Sequence, residues 1–444
     1  PRNHPRMPDG TKLFGTDGVR GPVGELLTPE LALALGRAAA AELGAERPQV
    51  VIVRDTRESG HMLESALAAG LAAGGADVFL AGVLPTPAAA ILVHKHGLDL
   101  GAVVSASHNP WRDNGIKFFG RDGRKLDDEG GARVEARVAA GPATGAASGR
   151  IRRLEGALDD YLRALDVAFD LDLTGRRIVL DCANGATYRA APAAFARTGA
   201  EIVTIAAAPD GRNINEGCGS THLDNVAAAV ADQGAEIGFA FDGDGDRMLA
   251  VDGEGNEFDG DEIVALAALH LRDAGELPGG VAVTVMSNYG FHKAMDAAGI
   301  EVATTKVGDR YVIEELVERG WTIGGEQSGH IIWTDFATTG DGLAAALLVM
   351  RALGSGSLAG SRPIEKLPQR LENVLVPSPD ALAAATALWE AVGREGAGLE
   401  GRGRVLVRPS GTEPLVRLMV EAPDEAECED VLRRLVAVAN RELA

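Results

Sequence analysis

The sequence predicts an α/β chain of three similar modules followed by a small α+β domain, and three observations carry that prediction. An apolar, β-rich run opens each of three units: Val50 to Val53, Ile178 to Leu180 and Val281 to Val285. Helical periodicity follows each run, then a strand led by glycine: "GADVFL" from 75, "GAEIVTI" from 199 and "GIEVATT" from 299. After a further helical stretch each unit ends in another apolar strand and a polar loop, "SASHNP" at 105, "DGDGDR" at 242 and "GEQSGH" at 325. Strands alternating with helices of roughly ten to fifteen residues read as parallel pairing. Ligands of open α/β sheets collect beyond the carboxyl ends of the strands, where these three loops fall. One such loop is an ordinary strand exit; three at equivalent places point to a shared function.

From 371 onward the pattern breaks. Beyond Pro377 a helix-like stretch leads to "RVLVRPSGTEPLVRLMVEA" and then to an amphipathic helix from Asp424 to Leu443. Strand, loop, strand and helix make an α+β domain. The expected architecture is therefore three similar α/β modules with mixed sheets plus a C-terminal α+β domain. Its divisions fall at 7–150, 151–254, 255–370 and 371–444, with the Gly/Ala-rich 140–149 and the Ser/Gly-rich 354–363 as connections. A chain of 444 residues needs several hydrophobic cores. With aromatics at 4% and abundant Ala and Gly, those cores are built by close approach of helices to sheets.

The net charge of −21 argues against nucleic acid or an anionic membrane as partner. An anionic substrate would need local cations to overcome that field. Three cysteines, Cys182, Cys218 and Cys428, form no C-x-x-C pair, as expected of a reduced cytoplasmic protein. The sequence has no apolar run of membrane-spanning length and no signal-peptide core. Residues 1–6 precede Met7 and read as foreign to the natural chain. Only seven of the 43 basic residues are lysine, read as a bias of genome composition.

"FDGDGDR" places Asp242, Asp244 and Asp246 at alternating positions with glycines that permit a tight turn. Carboxylates about 4 Å apart repel by roughly 4 kcal/mol per pair at an effective dielectric near 20. Protonation, solvent or a cation relieves that repulsion, and hard oxygen donors favour Mg²⁺, Mn²⁺ or Ca²⁺. An EF-hand is excluded, because Arg247 and Gly253 stand where that loop needs glycine and glutamate. The remaining alternative is a solvated acidic turn.

"SASHNP" offers Ser105 and Ser107 as nucleophiles, and alternation puts both on one side. Spacing does not choose between them. A serine needs a base or a metal to act. His108 reads as a backbone-satisfied core histidine or as an acid/base neighbour. "RPSGTEP" supplies Arg408, Ser410 and Thr412 around a glycine turn, with Arg417 on the next strand. Hydroxyls, backbone N–H groups and a guanidinium fork match a phosphate; a surface turn is the plain alternative. Arg20 in "GTDGVRG" and Lys117 in "DNGIKFF" stand among glycine loops. The chain holds no Gly-Lys dipeptide, H-E-x-x-H or G-x-S-x-G, which excludes a P-loop and those hydrolase motifs.

"GTDGVRG", "SASHNP", "DGDGDR", "GEQSGH" and "RPSGTEP" occur in the order found in the α-D-phosphohexomutase superfamily, which the chain resembles from Leu13 to about Glu421. The longer stretches "SASHNPWRDNGIKFF", "DCANGATY", "NINEGCGSTH", "VGDRYV" and "GGEQSGHI" resemble its bacterial amino-sugar branch. The resemblance implies four domains around one central cleft, each contributing one loop. It implies an isomerase that interconverts glucosamine 6-phosphate and glucosamine 1-phosphate toward UDP-N-acetylglucosamine and peptidoglycan precursors. Ser107 would carry the phosphoryl group. Asp242, Asp244 and Asp246 would bind one Mg²⁺ per chain together with an oxygen on Ser107. Arg20 and Lys117 would lie near the transferring group, Lys117 as candidate base, with His108 and Arg247 in support. Glu326 and Ser328 would hold sugar hydroxyls, with His330 nearby. Arg408, Ser410, Gly411, Thr412 and Arg417 would bind the distal phosphate. Glucosamine 1,6-bisphosphate would be activator and intermediate, and the partners left open are a homodimer and an activating kinase or autophosphorylation.

The sequence departs from the family pattern at Trp111–Arg112, where relatives often carry smaller aromatic or polar pairs. Asp309 in "KVGDR" stands where mannose and glucose relatives carry histidine, which favours the amino-sugar branch. A phosphomannomutase or phosphoglucomutase of the same superfamily is the rival enzyme. A sugar-phosphate-binding protein on a decayed scaffold is the rival non-enzyme.

Overall fold

The structure, a computed structural model, describes residues 13–15, 17–141, 148–410 and 414–443. Residues 1–6, Gly411 and Thr412 lie outside these. The chain separates into two compact units, Pro1–Met286 with Glu301–Arg362 and Ser287–Ile300 with Pro363–Ala444.

The first unit contains three sheets with one shared plan. The opening strand of each module is central: Gln49–Arg54, Arg177–Asp181 and Val281–Thr284. On one side it pairs in parallel with the glycine-led strand, Asp77–Val83, Glu201–Ile205 or Val302–Thr305. On the other it pairs in parallel with the third strand, Leu100–Val104, Ile237–Phe241 or Ile323–Gly325. Each polar loop then reverses the chain into an antiparallel fourth strand, Asp113–Gly120, Met248–Asp252 or Ile331–Trp333. The sheets are mixed because two parallel crossovers are followed by one hairpin-like reversal. Every residue of Leu100–Val104 and Ile237–Phe241 is buried, as continuous apolar runs covered on both faces should be.

The sheets run past two of the expected divisions. Ile151–Arg153 adds in parallel to Asp77–Val83, and Glu257–Phe258 adds antiparallel to Met248–Asp252. After the 140–149 stretch, read as a connection, the chain rejoins the first sheet. Gly149 N donates to Ala72 O at 2.8 Å. Glycine-rich composition marks a loop but not which sheet the chain re-enters afterwards. The 354–363 connection ends at a boundary between compact units, Arg362/Pro363.

The second unit holds a three-stranded antiparallel sheet ordered Gln369–Leu375, Leu415–Glu421, Arg404–Pro409. The helices Thr386–Gly398 and Glu425–Glu442 complete its α+β core. Its first strand begins two residues before the expected division at 371. The unit also takes in the helix Tyr289–Ala297, whose cap Asn288 exchanges hydrogen bonds with Leu367: Nδ2 to Leu367 O at 3.0 Å and Leu367 N to Oδ1 at 2.9 Å. That helix was expected with the third module. Among the described residues no helix is long and apolar enough to cross a membrane.

Small residues set the helix spacing. The helices Pro29–Glu42 and Gly60–Ala73 approach so closely that a Cβ on Gly36 would lie 2.4 Å from Leu67 O, and one on Gly70 2.1 Å from Leu33 O. Gly70→Ala is therefore expected to destabilise the protein by about 1–3 kcal/mol through overpacking. Gly393→Ala, in a helix where a Cβ meets nothing within 4 Å, is expected to stabilise by about 0.5–1 kcal/mol. Scanning calorimetry of both variants checks the contrast.

Candidate active site

The serine loop and the aspartate loop leave equivalent hairpins of the first two modules and meet. Ser107 Oγ donates to Asp242 Oδ2 at 2.5 Å and lies 3.3 Å from His108 Nδ1. One ligand oxygen each from Asp242, Asp244 and Asp246 falls within 4.8 Å of the others, and all three residues are buried. Gly243 allows the approach, since a Cβ there would lie 2.6 Å from Ser107 O.

Ser105 and Ser107 do not act on the same side. Ser105 Oγ turns back to Asp55 Oδ2 at 2.5 Å and accepts from Ser107 N at 3.0 Å. Alternation assumes extended backbone, whereas Ser107 has left the strand with φ 52°. That conformation costs a non-glycine residue about 1–3 kcal/mol and tends to occur at functional sites. The geometry separates two serines that spacing left equal.

Burial and mutual repulsion push the Asp242 carboxyl well above its usual range. Burial works the same way on Asp244 and Asp246, but Lys117 outweighs it at Asp244, and Lys117 with His330 does so at Asp246. Lys117 Nζ donates to Asp244 Oδ2 at 2.8 Å and lies 3.7 Å from Asp246 Oδ2. It is buried, which pulls its own pKa down. Thr86 Oγ1 adds a donor to Asp244 Oδ2 at 2.6 Å. Burial likewise lowers Arg20, while Asp246 and Asp242 hold Arg247 up against burial. Two carboxylate oxygens, Asp244 Oδ1 and Asp246 Oδ1, are buried and make no hydrogen bond among the described residues. Unsatisfied hard oxygens converging from three carboxylates fit a divalent cation such as Mg²⁺.

The third module's loop joins this pair. Met248 N donates to Gly329 O at 3.0 Å, seating the loop on the strand that follows Arg247. Glu326 Oε1 accepts from Gly308 N at 3.0 Å, and Ser328 is exposed. His330 Nδ1 lies 3.6 Å from Asp246 Oδ1 and Nε2 lies 3.4 Å from Asp309 Oδ2. Burial lowers His330, but the two carboxylates raise it by more. Asp309 itself bonds Lys125 Nζ at 2.6 Å, and Lys125 reaches Asp17 Oδ1 at 2.7 Å. The third module also supports the aspartate loop through Gly342 N, which donates to Gly245 O at 3.0 Å. Asp341 caps the helix Gly342–Leu353 through Ala344 N and takes the Tyr161 hydroxyl at 2.9 Å; its burial pushes its pKa up to about 6.

Arg408, Ser410 and Arg417 belong to the other compact unit. Arg408 and Arg417 stand directly opposite one another on adjacent antiparallel strands, and Ser410 N closes the turn onto Leu415 O at 2.9 Å. Like charges at directly opposed positions are unfavourable, and the two guanidinium-bearing residues concentrate positive charge on this face of the sheet. Burial and Arg417 together lower Arg408. At the other departure, Trp111 carries the Arg112 and Arg212 guanidinium groups at 5.3 and 5.1 Å from its ring centre.

The sequence reading missed Asp17, Thr86, Lys125, Asp55, Arg57 and Asn215. For Lys125 a signal existed. In a chain so biased to arginine, two of the seven lysines, Lys117 and Lys125, are ion-paired here. Arg57 and Asn215 gave none, because their side chains bond backbone carbonyls.

The comparisons with known proteins agree with this arrangement. Residues 11–144, 159–255, 259–371 and 371–438 match the phosphoglucomutase/phosphomannomutase family models for alpha/beta/alpha domains I, II and III and the C-terminal domain, in that order. The chain belongs to this family. The phosphoglucosamine mutase of Desulforudis audaxviator is 51% identical over 437 residues, covering 96% of this chain and 97% of its own. A solved phosphoglucomutase/phosphomannomutase family protein from Burkholderia thailandensis has a TM-score of 0.82 at 26% identity, over 97% of this chain and 98% of that one. The Aspergillus fumigatus N-acetylphosphoglucosamine mutase, solved with GlcNAc-6P and magnesium, has a TM-score of 0.64 over 97% and 96% of the two chains. At 18% identity it speaks for the fold alone.

Burial and the neighbouring Arg247 and Arg20 push the His108 imidazole down to about 4. An unfolded histidine titrates near about 6.5, so between about 4 and 6.5 the unfolded chain binds the extra proton and stability rises with pH. His108→Gln is expected to flatten part of the fall in thermal midpoint on acidification through that window, measured by calorimetry against the parent protein.

Proposed function

We propose that the chain interconverts glucosamine 6-phosphate and glucosamine 1-phosphate in the cytoplasm, through a phosphoserine at Ser107 and a 1,6-bisphosphate, toward UDP-N-acetylglucosamine and peptidoglycan precursors. The observation that carries the reading is a buried serine hydroxyl bonded into a cluster of three carboxylates, two of whose oxygens make no hydrogen bond among the described residues. The identity to phosphoglucosamine mutases across nearly the whole chain supports the substrate.

Phosphoryl transfer is mostly positioning and charge neutralisation. Phospho-Ser107 gives its phosphoryl group to O1 of glucosamine 6-phosphate: the P–Oγ bond breaks, the P–O1 bond forms, the O1 proton leaves to Lys117, the candidate base, and the released Oγ takes up a proton to become the serine hydroxyl. The bisphosphate turns over, and Ser107 Oγ takes the phosphoryl group from O6, which regains a proton. Asp242, Asp244 and Asp246 would hold a divalent cation with an oxygen on Ser107. When bound, that ion neutralises charge on the transferring group. Arg20 and Arg247 contribute fixed positive charge, and neutral His108 sits beside Oγ without repelling it. Glu326 and Ser328 would take sugar hydroxyls, with His330 behind them. Arg408, Ser410, Gly411, Thr412 and Arg417 would hold whichever phosphate is not reacting, so one centre serves both half-reactions. The divisions near 150, 254 and 370, each shifted by the few residues noted above, delimit the four functional domains. The first phosphoryl group on Ser107 would come from a kinase, from autophosphorylation or from the bisphosphate. A homodimer is the oligomeric state to test.

Ser107→Ala is expected to abolish turnover with the fold intact, read by coupled assay and circular dichroism. Asp244→Asn is expected to weaken Mg²⁺ binding by at least about tenfold, measured by isothermal titration calorimetry; an unchanged isotherm rules out ligation there. Among substrates, kcat/KM for glucosamine 6-phosphate should exceed that for glucose 1-phosphate and mannose 1-phosphate. A preference for either neutral hexose would establish the phosphoglucomutase or phosphomannomutase reading in its place.

A further inference from the structure

The carbonyl of Ser107 is held from two modules at once. Arg57 Nη2 donates to Ser107 O and to Asn109 O, both at 2.8 Å. Its Nη1 reaches Asp113 O at 2.9 Å and also Pro110 O. Asp55 fixes the guanidinium through Nε at 2.8 Å, and both residues are fully enclosed. One buried arginine thus reads four carbonyls of the serine loop, a planar fork arrangement that lysine cannot copy. From the second module, Asn215 Nδ2 donates to Ser107 O at 2.9 Å and to Asn109 O at 3.2 Å.

The backbone around these contacts is strained. Ser107, Ala183, Asn184 and Asn215 all take left-handed φ values, 52°, 51°, 48° and 59°. They form one connected set. Asn215 N donates to Ala183 O at 2.9 Å, and Thr56 Oγ1, beside Arg57, donates to Asn184 O at 2.5 Å. A Cβ on Gly243 would meet Ser107 O and Asn215 Nδ2 at 2.6 and 2.7 Å, so the aspartate loop packs directly against this junction.

We propose that Arg57 and Asn215 are positioning residues for Ser107: by donating to its carbonyl from two modules they hold the left-handed backbone that aims Oγ at Asp242. The inference rests on the reading of Ser107 as the phosphoryl carrier. Neither side chain is required to touch substrate. Their effect falls on transfer to and from Oγ and spares affinity for the sugar phosphate.

The test uses the full chain, first dephosphorylated, then incubated with Mg²⁺ and glucose 1,6-bisphosphate and followed by intact mass, with kcat and KM measured in parallel. Asn215→Gly keeps the left-handed backbone freely accessible and removes only the donor. It is expected to slow phosphate uptake and lower kcat by about tenfold or more, with KM within about twofold and the thermal midpoint within about 2 °C. Asn215→Asp, which also tolerates the left-handed region but turns an acceptor toward two carbonyls, should fall further. Arg57→Lys, retaining charge beside Asp55, should show the same split of kcat from KM. Wild-type uptake and kcat in the Asn215 variants, or losses that follow only the unfolded fraction, overturn the inference. If the parent chain takes up no phosphate, or Ser107→Ala still does, the phosphoserine reading fails instead.

Discussion

Three carboxylates enclosed in one short loop repel each other and lose their hydration together, and much of the first unit is arranged to offset that. At close range each pair costs several kcal/mol even with generous dielectric screening. Burial pushes all three carboxyls up; at Asp244 and Asp246 Lys117 and, at Asp246, His330 outweigh it and pull them down. Those partners come from the first and third modules, and Arg247 comes from the aspartate loop itself. The compensation is incomplete. Asp242 is left high and two oxygens make no hydrogen bond among the described residues, the condition under which a divalent ion binds with gain.

The repeated sheet plan explains how the groups come together. In each module three parallel strands end at the same edge, and the polar loop that reverses the chain sits there. Serine, aspartate and Glu326–His330 loops are therefore equivalent pieces of three copies of one motif, each with a different chemistry. Glycine at 243 lets serine-loop backbone touch aspartate-loop backbone, and Gly342 does the same for the third module. Strain is concentrated at that junction, as expected where over-determined contacts hold reacting groups in place.

The C-terminal unit has a different logic. Arg408 and Arg417 face one another on adjacent strands, placing two cationic residues at one point of the sheet. In a chain of net charge −21, that is a local exception to the overall field.

Periodicity and composition by themselves determined the modular α/β plan, the three loops, the C-terminal sheet and the identity of the acidic and basic residues, because strand alternation, helix periodicity and short motifs are local properties of the chain. Local signals could not tell that Ile151–Arg153 returns to the first sheet, since that depends on which strand edge a segment meets. Ser105 and Ser107 were equivalent by spacing and became distinct only in the folded chain, where Ser107 takes a positive φ, its carbonyl accepts from Arg57 and Asn215, and one hydroxyl turns to Asp55 and the other to Asp242. Lys125 joined the site the same way, through Asp17 and Asp309. Hydrogen bonds to backbone carbonyls leave no residue pattern in a sequence, so the direction of the Ser107 hydroxyl was settled by tertiary structure alone.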